Sequence, residues 1–362
     1  MTLKTEPIIY DFIIVGQGIA GSIMTHFLLQ QNKKVLVIDN FNPNSASNIA
    51  SGVVNPITGR KMVKSWIIDE VLPFAKTVYK NLEKQLQVRF FYEEDIYKIF
   101  SSDEDAAIWN QKKNDPEYEN YLGNIVSGLG ENIIAPFGAG IIKQGCWMDV
   151  PVFIKAYREF LKQHNCLLEE TLNKDELNVA DKIQYKNVVA DKIIFCEGYK
   201  AYQNPYFDFI PFALAKGEQL TIHSPNLKNE KIINKNIFIL PKQDDLYSVG
   251  STFIWDDFEE TVTGNGRKEI TDKLNKFIKT DYKIVEEKAG IRPAMEDRRP
   301  VIGAHPKYPN LFIFNGLGTK GVSLAPYFSQ HLIDHFVLKT DIMSEVSLNR
   351  FLKRNIKSSN SI

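Results

Sequence analysis

The sequence predicts an α/β fold: a parallel sheet opened by a glycine turn, joined to a second, β-rich α+β unit. Three observations carry this. A strand pattern over residues 8–15 runs straight into a glycine turn and a helix pattern. A second strand pattern ends on an acid, Asp39, 18 residues after that turn. Further β-rich and helical segments then alternate to the C-terminal region.

Composition fits such a fold. The 362 residues are 44% hydrophobic, 12% aromatic and 24% charged, which argues against disorder, collagen and coiled coil. The length suits two domains or one large α/β unit. Lys+Arg and Asp+Glu are both 44, so no global field gathers nucleic acid or anionic membrane, although a local patch is compatible with that balance. Cys146, Cys166 and Cys196 form no CxxC pair. A zinc ribbon, a dithiol redox motif and a secreted disulfide framework are disfavoured, and a reducing cytoplasm is the expected compartment.

Residues 8–29 are apolar enough to imitate a leader or anchor behind Lys4. Asp11, Gln17 and His26 interrupt them, and a polar turn, QQNKK, follows instead of a cleavage site. Ile8 to Val15 is short and rich in β-branched and aromatic residues, as a buried parallel strand is. Gly16-Gln17-Gly18-Ile19-Ala20-Gly21 follows. Ile19, Ile23, Phe27 and Leu28 then recur at helical spacing, and Val35 to Ile38 is the second strand.

A lone GxGxxG says little. Here the strand, helix and acid stand in the right order. Gly16 permits a tight turn, Gly18 lets the backbone approach a pyrophosphate, and Gly21 lets the helix pack on the strand. The helix N-terminus offers free N–H groups to phosphates, and Asp39 can accept from ribose hydroxyls. The motif alone leaves open whether the dinucleotide is NAD or FAD.

Residues 42–65 read as a long irregular connection, with Ala50, Ser51 and Gly52 small enough for close approach to a ligand. Residues 66–87 have helical spacing and 88–100 are strand-like. Residues 133–147 read as a Gly-rich hairpin, and Asp149 before Pro151 marks a helix start. Residues 190–198 form a strand closed by Gly198. KGEQLTI (216–222), NIFILPK (236–242) and LYSVGSTF (246–253) are β-rich, and 266–281 suit one helix. NLFIFNG (310–316) is a strand, and residues 317–336 are a glycine turn leading into a helix.

Taken in order, GQGIAG, VLVID, SNIASGVVNP, ADKIIFCEG, KGEQL, LYSVGSTF, GIRPAMEDRRPVIG and NLFIFNGLGTKGVSLAP resemble the D-amino-acid oxidase superfamily of FAD-dependent oxidoreductases over nearly the whole chain. Glycine oxidase, sarcosine oxidase and the FAD half of the tRNA methylaminomethyl-uridine modification enzyme belong there. The resemblance implies a Rossmann-like FAD domain of the glutathione-reductase type, discontinuous over 1–87, 146–204 and 288–362. Residues 88–145 and 205–287 would form the substrate domain.

The resemblance also implies non-covalent FAD. Its expected contacts are Gly16, Gly18, Ile19, Ala20 and Gly21 at the first turn, and Asp39 with Asn40 at the ribose. Ser47, Ala50, Ser51 and Gly52 would pass the phosphates and flavin. Gly198, Gly318, Thr319, Lys320, Gly321 and Val322 would complete the site. Lys320, at a helix N-terminus, would stabilise negative charge on the reduced flavin and is assigned a catalytic role, the alternative being a solvated loop lysine. Arg292 matches the arginine that binds the substrate carboxylate, which a guanidinium can grip with two parallel bonds; the alternative is an ion pair with Asp297 or another acid. Arg298 and Arg299 are expected on the surface. Arg60, with Lys61 and Lys64, could meet an anionic substrate or form a solvated face.

Two departures matter. The GIRP region lacks the cysteine to which sarcosine oxidases attach flavin. The second arginine of glycine oxidase is missing from the last glycine turn, where LGTKG is nearer the tRNA-enzyme type. The expected activity is oxidation of a C–N bond of an amino acid or secondary amine by hydride transfer to flavin N5. The alternatives are modification of a tRNA wobble uridine, making tRNA a possible partner, or a nicotinamide dehydrogenase. No metal is expected: His331 and His335 are four apart on a helix, but position 332 is Leu and no third ligand is evident. Cys146 reads as a small buried hydrophobe.

Overall fold

The computed structural model describes residues 6–59 and 61–352. Ile8–Val15 forms the predicted strand, and its last four residues are buried. It pairs in parallel with Val35–Ile38 on one side and Val188–Phe195 on the other. Leu167–Leu168 extends the sheet in parallel beyond Val35–Ile38, and Leu311–Asn315 does so beyond Val188–Phe195. Four neighbouring strands thus end side by side at Val15, Ile38, Phe195 and Asn315. Ligands of open parallel sheets bind beyond such carboxyl ends.

Helices cover this sheet as the apolar periodicity requires. Ile19–Gln30 buries Ile23, Met24, Phe27 and Leu28. Ile68–Leu86 and Gly321–Leu338 pack with it in one core. Val150–Gln163 starts as expected, with Asp149 accepting from the Val152 N–H at 3.3 Å. No helix among the described residues is long and apolar enough to cross a membrane.

A second eight-stranded sheet has the order Lys283–Arg292, Ala215–His223, Leu246–Gly250, Phe238–Pro241, Ile232–Asn234, Ile96–Ile99, Ala139–Ile142, Leu122–Val126. The expected division between 287 and 288 falls inside one strand, because Lys283–Arg292 pairs along its length with Ala215–His223.

Three other expectations are corrected. Residues 133–147 are not a hairpin: Ala139–Ile142 joins the large sheet, while Cys146–Met148 pairs with Val53–Val54 and Phe91–Glu93. The helix expected over 266–281 stops at Leu274. Phe277 is fully buried there, and its carbonyl accepts from the Ile134 N–H at 2.8 Å, so the backbone is already committed. The connection over 42–65 is partly ordered, with a turn of helix at Ala46–Ile49 capped by Ser45.

Candidate active site

The glycine turn is built by steric necessity. Gly16 has φ +98°, and a Cβ there would lie 2.5 Å from the Cys196 carbonyl oxygen. A Cβ on Gly21 would lie 1.8 Å from the Gly16 oxygen. Gly21 therefore packs the helix onto the turn and does not line the site. The first helical turn carries no acid and Gly18 supplies no side-chain cap. Instead the Ile19 N–H donates to Ser47 Oγ at 3.0 Å.

A cleft of about 700 Å³ opens beyond the four strand ends. Gly16, Gly18, Ile19 and Ala20 line it at the first turn, and Asp39 and Asn40 at the second strand end. Ser47, Ala50, Ser51 and Gly52 form another wall. Gly198, Arg292 and the run Gly318, Thr319, Lys320, Gly321, Val322 complete it. Arg60 lies outside the described residues. Every other expected site residue except Gly21 borders this one space.

The two distant motifs meet physically. The Gly318 N–H donates to the Pro293 carbonyl at 3.1 Å, tying the GIRP run to the LGTKG turn. A Cβ on Gly321 would sit 3.0 Å from Ile19 Cγ2, so two helix N-termini converge on the cleft. Both direct positive dipole ends toward it. Gly52 (φ +70°) lies so close to the Met148 carbonyl, 1.9 Å from a built Cβ, that no side chain fits.

Arg292 ends its strand with a guanidinium that no carboxylate of the described residues meets. Nη1 donates to the carbonyls of Lys216 at 3.3 Å and Thr252 at 3.1 Å, and Nη2 to Ser251 Oγ at 2.7 Å. The guanidinium stacks on Phe253 at 4.2 Å. Asp297 pairs with Arg350 instead, at 2.8 Å. Burial pushes Arg292 down to about 10, so an incoming anion would relieve an uncompensated charge. Gly217 makes the room, since a Cβ there would meet Nη2 at 1.8 Å.

Lys320 is half-buried, and its amine has no ion-pair or hydrogen-bond partner among the described residues. Burial lowers its pKa first, then the charges of Arg299 and Arg298. Arg298 is exposed as expected, whereas Arg299 is half-buried and stacks on Trp66 at 4.1 Å. Lys64 is engaged by Asp69 at 2.5 Å.

Two site residues escaped the sequence reading. Arg158, buried, donates to Asp39 Oδ2 at 2.7 Å. Its signal was a charge on the apolar helix face that carries Ile154 and Leu161. Gln219 accepts from Ser51 Oγ at 2.8 Å. Strand alternation puts it with Gly217 on the cleft side of KGEQL, opposite Lys216 and Glu218.

Among the described residues no cluster of three or more His, Cys, Asp or Glu could hold a metal. His331 Nε2 accepts from the Met343 N–H at 3.0 Å, and His335 Nδ1 bonds the Thr340 carbonyl. Burial pushes the Cys146 thiol up to about 12, as suits a packing residue.

Glycine turns, an acid and converging helix ends on the carboxyl edge of one parallel sheet define a class, the dinucleotide-binding oxidoreductases. Within it, the chain belongs to the FAD dependent oxidoreductase family (DAO), which it matches over residues 11–335. Glycine oxidase of Bacillus subtilis (strain 168) is 21% identical over 347 residues, covering 88% of this chain and 90% of that protein. The tRNA 5-methylaminomethyl-2-thiouridine biosynthesis bifunctional protein MnmC of Leptospira borgpetersenii serovar Hardjo-bovis (strain JB197) is 24% identical over 407 residues. That match covers 95% of this chain but 60% of the relative's length. The crystal structure of glycine oxidase from Geobacillus kaustophilus superposes with a TM-score of 0.79 at 18% identity, over 94% of this chain and 98% of that one. The protein is therefore an FAD-dependent oxidoreductase, and the nicotinamide alternative falls. The cleft fits this cofactor: a glycine turn that excludes side chains, unacidic helix ends, and a volume within the range of cofactor sites.

Proposed function

We propose that the protein oxidises the C–N bond of a carboxylate-bearing amine, an amino acid or a secondary amine such as an N-alkyl glycine. The observation that carries this is Arg292: a largely buried guanidinium facing the cleft, with only neutral acceptors around it among the described residues. FAD, when bound, supplies the hydride acceptor for the substrate's α-C–H, leaving an imine that water hydrolyses. Gly16, Gly18, Ile19, Ser47 and Asp39 would hold the dinucleotide. Arg292 would grip the carboxylate with its planar fork and so fix the α-carbon. Phe253, stacked on that guanidinium, narrows its exposure to water. Lys320 would face charge that develops on the pyrimidine side of the flavin. In this reading the parallel-sheet unit holds the cofactor, the second sheet roofs the substrate end, and the chain works in the cytoplasm.

The test is a titration of oxidised holoprotein with acetate or glycolate, followed in the flavin's visible spectrum. A saturable change that Arg292→Ala removes is the expected result. A spectrum indifferent to carboxylates would overturn the reading.

A second reading, modification of a tRNA base, is favoured by Lys320, Arg298 and Arg299, three neighbouring cations with no acid partner among the described residues. tRNA binding that weakens steeply with salt would support it, and absence of binding at low salt would remove it.

A further inference from the structure

We infer that Arg158 is a positioning residue for the dinucleotide, locking Asp39 in the orientation that receives the adenosine ribose and tying that acid to the glycine turn. The inference rests on Asp39 being the ribose acid.

One guanidinium spans three chain segments. Nη1 donates to Asp39 Oδ2 at 2.7 Å and to Gln17 Oε1 at 3.0 Å. Nη2 donates to the Asp39 carbonyl at 3.1 Å and to Glu169 Oε1 at 3.0 Å. The second Asp39 oxygen is held from the turn itself, where the Gln17 N–H donates to Oδ1 at 2.9 Å. Gln17 is fixed in turn, its Nε2 donating to Ser22 Oγ and to the Ile154 carbonyl, both at 3.1 Å. Asp39 and Gln17 line the cleft and Arg158 does not. Arg158 therefore acts behind the contact surface, chiefly through the acid and also through the Gln17 side chain.

Its cost argues for a purpose beyond packing. Arg158 is only 6% exposed, on a helix face otherwise made of Phe153, Ile154, Tyr157 and Leu161. An apolar residue there would avoid desolvating a charge. An ionised carboxylate accepts up to about four hydrogen bonds. Asp39 spends one on each oxygen to be held and keeps capacity on both for ribose hydroxyls. Pre-set rotamers of this kind lower the ordering cost of binding.

The experiment titrates apoprotein with FAD, followed by flavin fluorescence, for wild type, Arg158→Gln, Asp39→Asn and the double variant. Each single change is expected to weaken FAD by about one to two orders of magnitude, the range for losing a charge-assisted contact. The double variant should lose clearly less than the sum of the two single losses, because the bonds from Arg158 to the acid matter only while the acid is there. Additive losses would show a general structural role and overturn the inference. Wild-type affinity in Arg158→Gln, with Asp39→Asn weakened, would also overturn it. Wild-type affinity in Asp39→Asn would overturn the ribose assignment, and the inference with it. Should Arg158→Gln fail to fold, Arg158→Lys carries the same comparison: it keeps the charge but cannot bridge three partners. Wild-type affinity in Arg158→Lys would then be the overturning result.

Discussion

Replacing Arg292 by alanine removes a cleft guanidinium that no acid among the described residues neutralises. A carboxylate gripped by two charge-assisted bonds would lose both. Each such bond contributes roughly 1.5–3 kcal/mol net, and the pair shares one desolvation cost, so about 3 kcal/mol is the expected loss. That is roughly a hundredfold in affinity. Arg292→Lys keeps a charge but offers one point donor in place of the fork, and should lose about tenfold. The side chain also satisfies the Lys216 and Thr252 carbonyls and Ser251 Oγ. Some stability loss is therefore expected in both variants, and flavin content serves as the control for folding. The assay is steady-state oxidation of a turning-over amine, read as KM and kcat separately. Binding equal in ground and transition states raises KM by these factors with little change in kcat. Unchanged kinetics in a flavin-replete Arg292→Ala protein would refute the carboxylate assignment and shift weight toward a substrate without one.

Three further outcomes follow from the same geometry. Gly18→Val should give folded apoprotein with no flavin: a Cβ there sits 3.0 Å from Ser47 Oγ, in the phosphate space, and wild-type flavin content would show the loop misplaced. Acid precipitation should leave all flavin in the supernatant, because Cys196 alone of the three cysteines lines the cleft and it lies buried beneath Gly16; flavin in the pellet would contradict this. His26 is buried beside Phe27 and Tyr157, and burial lowers it from 6.5 to about 4. It stays neutral in the fold while the unfolded chain takes a proton, so stability is present above pH 6.5 and falls as pH drops toward 4. The loss is up to about 1.4 kcal/mol per pH unit. Denaturation curves of His26→Gln should be shallower with pH by up to about one proton, and equal slopes would contradict the assignment.

What could be read from the sequence was local. GQGIAG, its flanking strand and helix, and Asp39 were legible because turn geometry and strand polarity are fixed by neighbouring residues. The partners that complete the site were not, because Arg158 reaches Asp39 across 119 positions and Ser51 reaches Gln219 across 168. Arg292 could be placed by its GIRP context, yet its lack of an acid partner among the described residues is a tertiary fact: Asp297, five residues on, is taken by Arg350. The false hairpin at 133–147 has the same origin. Its glycines suggest a tight reversal, but each of its two strands finds a longer-range partner in a different sheet. Likewise the helix pattern past Leu274 continues in sequence, while the Phe277 backbone is claimed by residue 134.

The most direct measurement is anaerobic mixing of the holoprotein with matched amine pairs, one member carrying an α-carboxylate and the other lacking it. Glycine against methylamine and sarcosine against dimethylamine are suitable, with flavin absorbance as the readout. Bleaching by a carboxylate-bearing member and not by its counterpart is the predicted result. Equal bleaching by both members, or bleaching only by the amine without a carboxylate, would contradict the claim that this cleft selects amino acids through Arg292.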